Sequence, residues 1–264
     1  MTPPVGPESS RPRPLSPELA EAVRTFCAVD TVLVATDFDG VLAPIVQDPM
    51  RARPVQGAVE ALARIARKHR THAAVVSGRD LDTLTLLTGI APHSAITQIG
   101  AHGAQSTRDD GELLDEDQAE LLAALTSALE EMLEDHPGMR LEHKPTGTVL
   151  HTRGEPAEAA AAAMTAAREV AGRHTGVHVL RGKGVLEMAV VRADKGSALR
   201  SLAREVHADA MAFFGDDVTD ENAFAVMGER DLSVKVGPGD THARFRVDAP
   251  SDVVQLLEAI ASQR

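Results

Sequence analysis

Residues 31–41 read TVLVATDFDGV, and this stretch limits the folds open to the chain more than any other. Val32, Leu33, Val34 and Ala35 form a continuous apolar run, the pattern of a short strand buried on both faces of a parallel sheet. The run ends at once in Asp37, Phe38, Asp39 and Gly40. Two carboxylates at i and i+2 then stand at the carboxyl end of a strand, where an α/β sheet opens its ligand crevice. Side chains two apart on an extended segment share a side, so both can face one ion or phosphate. Gly40 lets the chain turn sharply away. In this pattern Asp37 reads as a nucleophile and Asp39 as its acid/base partner. The plainer alternative is a turn, for which Asp and Gly are default residues.

The remaining chain repeats the theme. Residues 1–14, rich in Pro and polar residues, are expected to be disordered. A helix capped by Ser16 with Pro17 in its first turn runs to about Cys27 and feeds the first strand. Val55, Val59, Leu62 and Ile65 recur at helical spacing, which predicts a helix over 55–68. A strand at 71–76 ends in Ser77-Gly78-Arg79, directly before a helix over 80–87. That arrangement offers a hydroxyl and free backbone N–H groups to an anion, or is an ordinary strand–helix turn with Ser as cap. A third strand is expected at 95–99. Helices at 115–135 and 155–174 then alternate with hairpins at 141–151 and 176–190, the second turning at 181–184, an α+β pattern. The strand–helix rhythm resumes with a helix from Lys195 and a strand at 210–214 that ends in GDDVTDE, residues 215–221. Strands at 231–236 and 245–247 and a last helix over 250–261 follow. The expected fold is α/β: a Rossmann-like, doubly wound parallel-sheet core over 15–104 and 191–264. Residues 105–190 form an inserted α+β domain.

Composition narrows the function. With 264 residues the chain can hold one large domain or two modest ones. The net charge of −12 argues against nucleic acid and anionic membranes as partners, though not against a small phosphorylated substrate. With no Trp or Tyr and 6 Phe, a bound sugar would be held mainly by hydrogen bonds. The single cysteine, Cys27, lies in an apolar stretch and reads as packing. Together with the absence of a membrane-length apolar run or signal pattern, it suits a cytoplasmic protein. A monomer is the expected form.

Asp37, Asp39, Ser77 and the acids at 216, 217 and 220 all fall at carboxyl ends of predicted strands, with Lys195 at a helix start in the same scaffold. In an open parallel sheet those ends share one edge, so these residues should converge. Two acidic clusters would repel each other unless a cation lies between them. Carboxylates without clustered His or Cys suit a hard ion, and Mg2+ is the natural choice beside a phosphate. Ser77 and Lys195 would take up charge on the phosphoryl oxygens. The combination fits phosphoryl transfer through a covalent carboxylate.

DFDGV, SGR, Lys195 and GDDVTDE, in that order, resemble the four motifs of the haloacid dehalogenase superfamily of phosphatases. The insert resembles the α+β cap of its sugar-phosphate subgroup. IGAHGAQ at 99–105, LEHKPTGTVLHTRG at 141–154 and GKGVLE at 182–187 are similar to stretches of the trehalose-6-phosphate phosphatase family. That resemblance covers the chain from about Thr31 onward. It implies that Asp37 becomes an aspartyl phosphate and that Asp39 protonates the leaving sugar oxygen and then activates water. It implies Mg2+ held by the Asp37 carboxylate, the Asp39 carbonyl and Asp216, with Asp217 and Asp220 as auxiliary positions. Ser77 and Lys195 would bind phosphate, and Arg79 would either touch phosphate or brace its loop. Glu142, Lys144 and Glu187 fall where similar enzymes bind the distal glucose hydroxyls, and His102, His151 and Arg153 are further candidates for the cleft. The implied activity is hydrolysis of trehalose 6-phosphate, the last step of trehalose biosynthesis.

Two departures from the family pattern stand out. Met188-Ala189-Val190-Val191 replaces a basic residue and proline common in relatives, and Gln105 stands where an acid is common. Another sugar-phosphate phosphatase, a phosphomannomutase-like enzyme, or a catalytically dead carbohydrate-binding relative are the competing readings. A receiver-like phospho-acceptor domain is a fourth, but it carries its acid pair before the acceptor and is about half as long.

Overall fold

A computed structural model of the protein describes residues 15–108, 114–182, 184–191 and 193–264. The segment expected to be disordered, 1–14, lies outside the described residues, as does Lys183 in the second hairpin. In chain order the elements begin with α1 (Pro17–Cys27), β1 (Val32–Thr36), α2 (Ala58–Ala66), β2 (Thr71–Val76), α3 (Leu81–Thr88), β3 (Ile96–Gly100) and β4 (Gln105–Ser106). There follow α4 (Glu116–Glu134), β5 (Arg140–Lys144), β6 (Gly147–His151), α5 (Ala157–Gly172), β7 (His178–Gly182) and β8 (Val185–Ala189). The chain closes with α6 (Lys195–Glu205), β9 (Ala210–Gly215), α7 (Glu221–Phe224), β10 (Leu232–Val236), β11 (Phe245–Val247) and α8 (Pro250–Gln263).

Among the described residues the main sheet runs β11-β10-β9-β1-β2-β3-β4, parallel throughout except for the antiparallel β3–β4 pair. Its order reverses between β1 and β9, because the chain winds outward from β1 first through β2 and β3 and later through β9, β10 and β11. Both faces are covered. Val32 and Val34 join α1, α2, α3 and α8 residues such as Val23, Leu62, Leu84 and Leu256 in one core. Leu33 and Ala35 join Leu199 and Leu202 of α6 and Phe224 of α7 in the other. A strand with a core on each side has no solvent face to mark with polar residues, which is why β1 reads as an unbroken apolar run.

Local chemistry sets the boundaries. Ser16 Oγ accepts a hydrogen bond from the Leu19 amide at 3.2 Å, and Pro17 opens α1. The helix expected over 55–68 is shorter. Gly57, at φ +89°, breaks the helical path ahead of Ala58, so Val55 lies in the preceding loop and its amide bonds to Leu42 instead. Gln105 and Ser106 pair with β3, so the main sheet takes in two residues that the sequence assigned to the insert.

Contacts divide the chain into two units, Met1–Thr107 with Asp194–Arg264, and Arg108–Ala193. The second unit holds an antiparallel sheet of order β5-β6-β8-β7. Leu125 and Leu129 of α4 and Ala163, Ala167 and Val170 of α5 pack on one of its faces against Leu150, Leu186 and Met188. β7 starts two residues later than expected and runs to Gly182, which pairs with Val185 and shortens the turn. Among the described residues no helix is long and apolar enough to cross a membrane.

Candidate active site

The reversal between β1 and β9 places two strand ends side by side, the position at which open α/β sheets hold their ligands. The β1–β9 ladder continues one residue past the strand, since the Asp37 amide donates to the Phe214 carbonyl at 2.9 Å. Phe38 is fully buried in the core, so its neighbours Asp37 and Asp39 turn the other way. The Phe38 carbonyl then accepts the amides of Leu42 at 3.0 Å and Ala43 at 2.9 Å, which fixes the turn. Gly40 has φ +76°, and a Cβ there would overlap the Asp216 carboxylate. The glycine serves both the left-handed backbone and the close approach of the second acidic loop.

Asp37 is 4% exposed. Its Oδ1 accepts the Phe38 amide at 2.6 Å, and its Oδ2 lies 2.8 Å from Lys195 Nζ. Lys195, equally buried, also donates to Asp220 Oδ1 at 2.7 Å. Burial pulls the lysine down, but Asp37 and then Asp220 outweigh it and hold the ammonium well above its ordinary range. Burial pushes the Asp37 carboxyl above the usual carboxylate range, opposed chiefly by Lys195. Asp194 positions the lysine from behind. Its Oδ1 accepts the Ser197 amide at 2.9 Å and caps α6 one residue before Lys195.

The acidic loop after β9 is braced from within. Asp220, fully buried, accepts the amides of Asp216 at 2.8 Å and Asp217 at 3.0 Å on Oδ2 while Oδ1 takes Lys195. A Cβ on Gly215 would overlap the Asp220 side chain, so the glycine admits it. Asp217 Oδ1 accepts the Thr219 amide and hydroxyl, each at 2.7 Å. Burial tends to raise Asp217, but Lys195 and the Thr219 bonds leave it below its ordinary value. For Asp216 the balance goes the other way: burial, then the charges of Asp220 and Asp217, outweigh Lys195 and Lys235 and push it up to about 7.

The third strand end belongs to β2. Arg79 forms two parallel bonds to Asp39, Nε to Oδ2 and a terminal nitrogen to Oδ1, both 2.7 Å. Ser77 is 1% exposed, and its Oγ accepts the Arg79 amide at 3.2 Å. The amides of Ala101 and His102 donate to the Arg79 and Ser77 carbonyls at 2.6 and 2.9 Å. Both donors have positive φ, 47° and 56°, so the 101–103 turn holds a costly backbone shape that locks the Ser77 loop. The His102 ring fills the space a Cβ on Gly78 would need.

The residues expected in the insert lie on one sheet. Glu142, Val149 and Glu187 are in register across β5, β6 and β8. Lys144 Nζ donates to Glu187 Oε1 at 3.1 Å, and His151 Nε2 lies 2.7 Å from Glu142 Oε2. Strand alternation puts these four on the face opposite Leu150, Leu186 and Met188, away from the helices. Arg153 lies past the end of β6, beside Gly184.

Comparison with known proteins decides the family. The family model described as trehalose-phosphatase matches residues 35–251. The chain belongs to the trehalose-phosphatase family. A trehalose-phosphate phosphatase of Mycobacterium avium is 35% identical over 245 residues, covering 86% of this chain and 61% of that protein. One from Mycobacterium leprae is 33% identical over 275 residues, covering 93% and 62%. The chain thus spans about three-fifths of the length of these curated relatives. The Aspergillus fumigatus trehalose-6-phosphate phosphatase structure matches with TM-score 0.70 at 25% identity, covering 93% of this chain and 98% of that one. A trehalose-6-phosphate phosphatase related protein matches with TM-score 0.70 at 27% identity, covering 87% and 97%. The core is the haloacid dehalogenase fold of this trehalose-phosphatase family.

The donor set suits a hard divalent cation. Asp37, Asp217 and Asp220 each offer a carboxylate oxygen, all within 4.8 Å of one another, and the Asp216 carboxylate lies against the Gly40 turn beside them. Asp220 already spends its oxygens on Lys195 and two amides, which makes it a brace for the other acids.

Two features of the site escape the sequence pattern. Lys235 of β10 is buried, and its Nζ donates to the Asp216 carbonyl. The signal was a charged residue in LSVKV, a segment patterned for burial on both faces, where an ammonium needs a buried partner. The fit of Gly40 to Asp216 had no sequence signal, since the two are 176 positions apart.

Proposed function

We propose that this chain hydrolyses trehalose 6-phosphate to trehalose and phosphate, the last step of trehalose biosynthesis. The observation that carries the reading is the buried Asp37–Lys195–Asp220 arrangement at the β1/β9 reversal, in a chain of the trehalose-phosphatase family.

Asp37 is the nucleophile. One carboxylate oxygen bonds to phosphorus as the bond from phosphorus to the sugar oxygen breaks, leaving an aspartyl phosphate. Asp39 gives the departing sugar oxygen its proton. It then takes a proton from water as the water oxygen bonds to phosphorus and the Asp37 oxygen leaves. Arg79 orients Asp39 through its paired bonds. Lys195 stays charged and, with the Ser77 hydroxyl, binds phosphoryl oxygens. Mg2+ would be held by Asp37, Asp216 and the Asp39 carbonyl, with Asp217 and Asp220 behind them. When bound it supplies positive charge that offsets repulsion between the carboxylates and the phosphate.

In the insert, Glu142, Lys144 and Glu187 hydrogen-bond the distal glucose, joined by His151 and Arg153, and His102 is a further substrate-binding residue. Charged donors and acceptors reject analogues that lack the matching hydroxyls, which a pocket poor in aromatics must rely on. We expect a cytoplasmic monomer without nucleic-acid or membrane partners. The test is phosphate release from trehalose 6-phosphate with and without Mg2+. Release that stops on chelation and returns with Mg2+ supports the reading, and release indifferent to metal counts against it.

A further inference from the structure

All five residues of β10 are buried, yet one is Lys235. An ammonium in such a strand is costly unless it is paired. Lys235 stands in register with Gly215, the last residue of β9, and so beside the start of the acidic loop. Its Nζ donates to the Asp216 carbonyl and lies 3.8 Å from Glu221 Oε1. Glu221 is anchored in turn, because its Oε2 accepts the His242 amide at 2.8 Å. The loop at 216–220 is therefore held twice. Asp220 grips the amides of Asp216 and Asp217 from inside, and Lys235 grips the carbonyl of Asp216 from the neighbouring strand.

We infer that Lys235, with Glu221 as its counter-ion, is a positioning residue that fixes the peptide between Asp216 and Asp217 and so aims the Asp216 carboxylate at the Gly40 turn. The part concerning metal rests on the phosphatase reading above. Lys235 acts in two opposed ways. Its charge repels a cation, whereas its hydrogen bond preorganises a ligand for one. If positioning dominates, removing Lys235 weakens cation binding even though the cluster becomes more negative. Pure Coulomb reasoning predicts tighter binding, so the sign separates the two.

The experiment compares the full chain with Lys235→Met and Lys235→Arg. Hydrogen exchange without metal reads the loop directly. Lys235→Met should speed exchange in 215–221 by about tenfold or more while leaving 71–76 unchanged, and Lys235→Arg should restore most of the protection. Calorimetric titration with Mg2+ should show binding weaker by about tenfold or more in Lys235→Met, in the range of losses seen when a group supporting a metal ligand is removed. Unchanged or tighter Mg2+ binding overturns the inference, as does exchange accelerated equally in both segments. Should Lys235→Met fail to fold, Glu221→Gln carries the test, with shifts in the same direction of about threefold. If the parent chain binds no Mg2+, the metal-dependent reading fails. The exchange comparison then decides the brace alone.

Discussion

Arg79 and Asp39 meet as two flat groups, joined by Nε–Oδ2 and terminal nitrogen–Oδ1 bonds of 2.7 Å each. Asp39 lies two residues from Asp37 on the same side of the strand end, so the guanidinium fixes the proposed proton-transfer group relative to the proposed nucleophile. The Asp39 bond, ahead of burial, raises the guanidinium above its ordinary value, so the arginine stays charged at any working pH. Lysine cannot reproduce a two-point grip. Arg79→Lys should lower kcat by about 10- to 100-fold, the scale of an angstrom-level misplacement. Steady-state kinetics check this, and an unchanged kcat would remove Arg79 from any orienting role.

Lys195 is the sole cation within 2.8 Å of both Asp37 and Asp220 among the described residues. Lys195→Met leaves two buried carboxylates facing each other and should destabilise the fold by about 3–5 kcal/mol. Urea unfolding measures it. The lysine is held above its ordinary value, so its contribution is complete at neutral pH and fades only as pH rises through the raised value. A Lys195→Met protein as stable as the parent at neutral pH would show that the pair carries no such weight.

Asp216 gives a pH dependence of defined sign. Burial and then its acidic neighbours raise it from the ordinary 3.8 to about 7. A raised carboxyl favours the folded state below its unfolded value and loses that contribution as pH rises through the folded one. The metal-free protein therefore gives up stability between about pH 4 and 7 at this group, and a cation binding ionised Asp216 returns it. The rise in Tm caused by Mg2+ should be larger at about pH 8 than at about pH 5.5. Thermal melts at the two pH values decide, and an equal or reversed effect would contradict a role for Asp216 at the cation.

Glu187 and Lys144 form an ion pair on the face of the insert sheet opposite its helices, with Glu142 and His151 as a second pair on the same face. If these groups read sugar hydroxyls, Glu187→Gln and Glu142→Gln should cut kcat/KM for trehalose 6-phosphate by about 10- to 100-fold, the worth of one charged hydrogen bond. Turnover of p-nitrophenyl phosphate, which lacks the sugar, should stay within a few-fold. Equal losses on both substrates would place the residues in folding instead of recognition.

The strand ends were legible because each carried its own chemistry. Val32–Ala35 showed a buried strand, Asp37-Phe38-Asp39-Gly40 its acidic end, and the order of the later motifs the winding of the sheet. Local rules failed where distant contacts decide. Val55 kept helical spacing with Val59, yet Gly57 took the left-handed backbone and cut it off from the helix. Gln105 and Ser106 are too short a run to carry a strand signal, and they pair because β3 offers an open edge. Lys235 announced that it needed a partner, but only the register of β10 beside β9 shows that the partner is the Asp216 carbonyl.

Substrate choice is tested most directly by kcat/KM for phosphate release, in Mg2+, from trehalose 6-phosphate set against glucose 6-phosphate and other hexose phosphates. Trehalose 6-phosphate should be preferred by about 100-fold or more if, as proposed, Glu142, Lys144 and Glu187 hydrogen-bond the distal glucose. Equal turnover across the panel would contradict a trehalose 6-phosphate phosphatase.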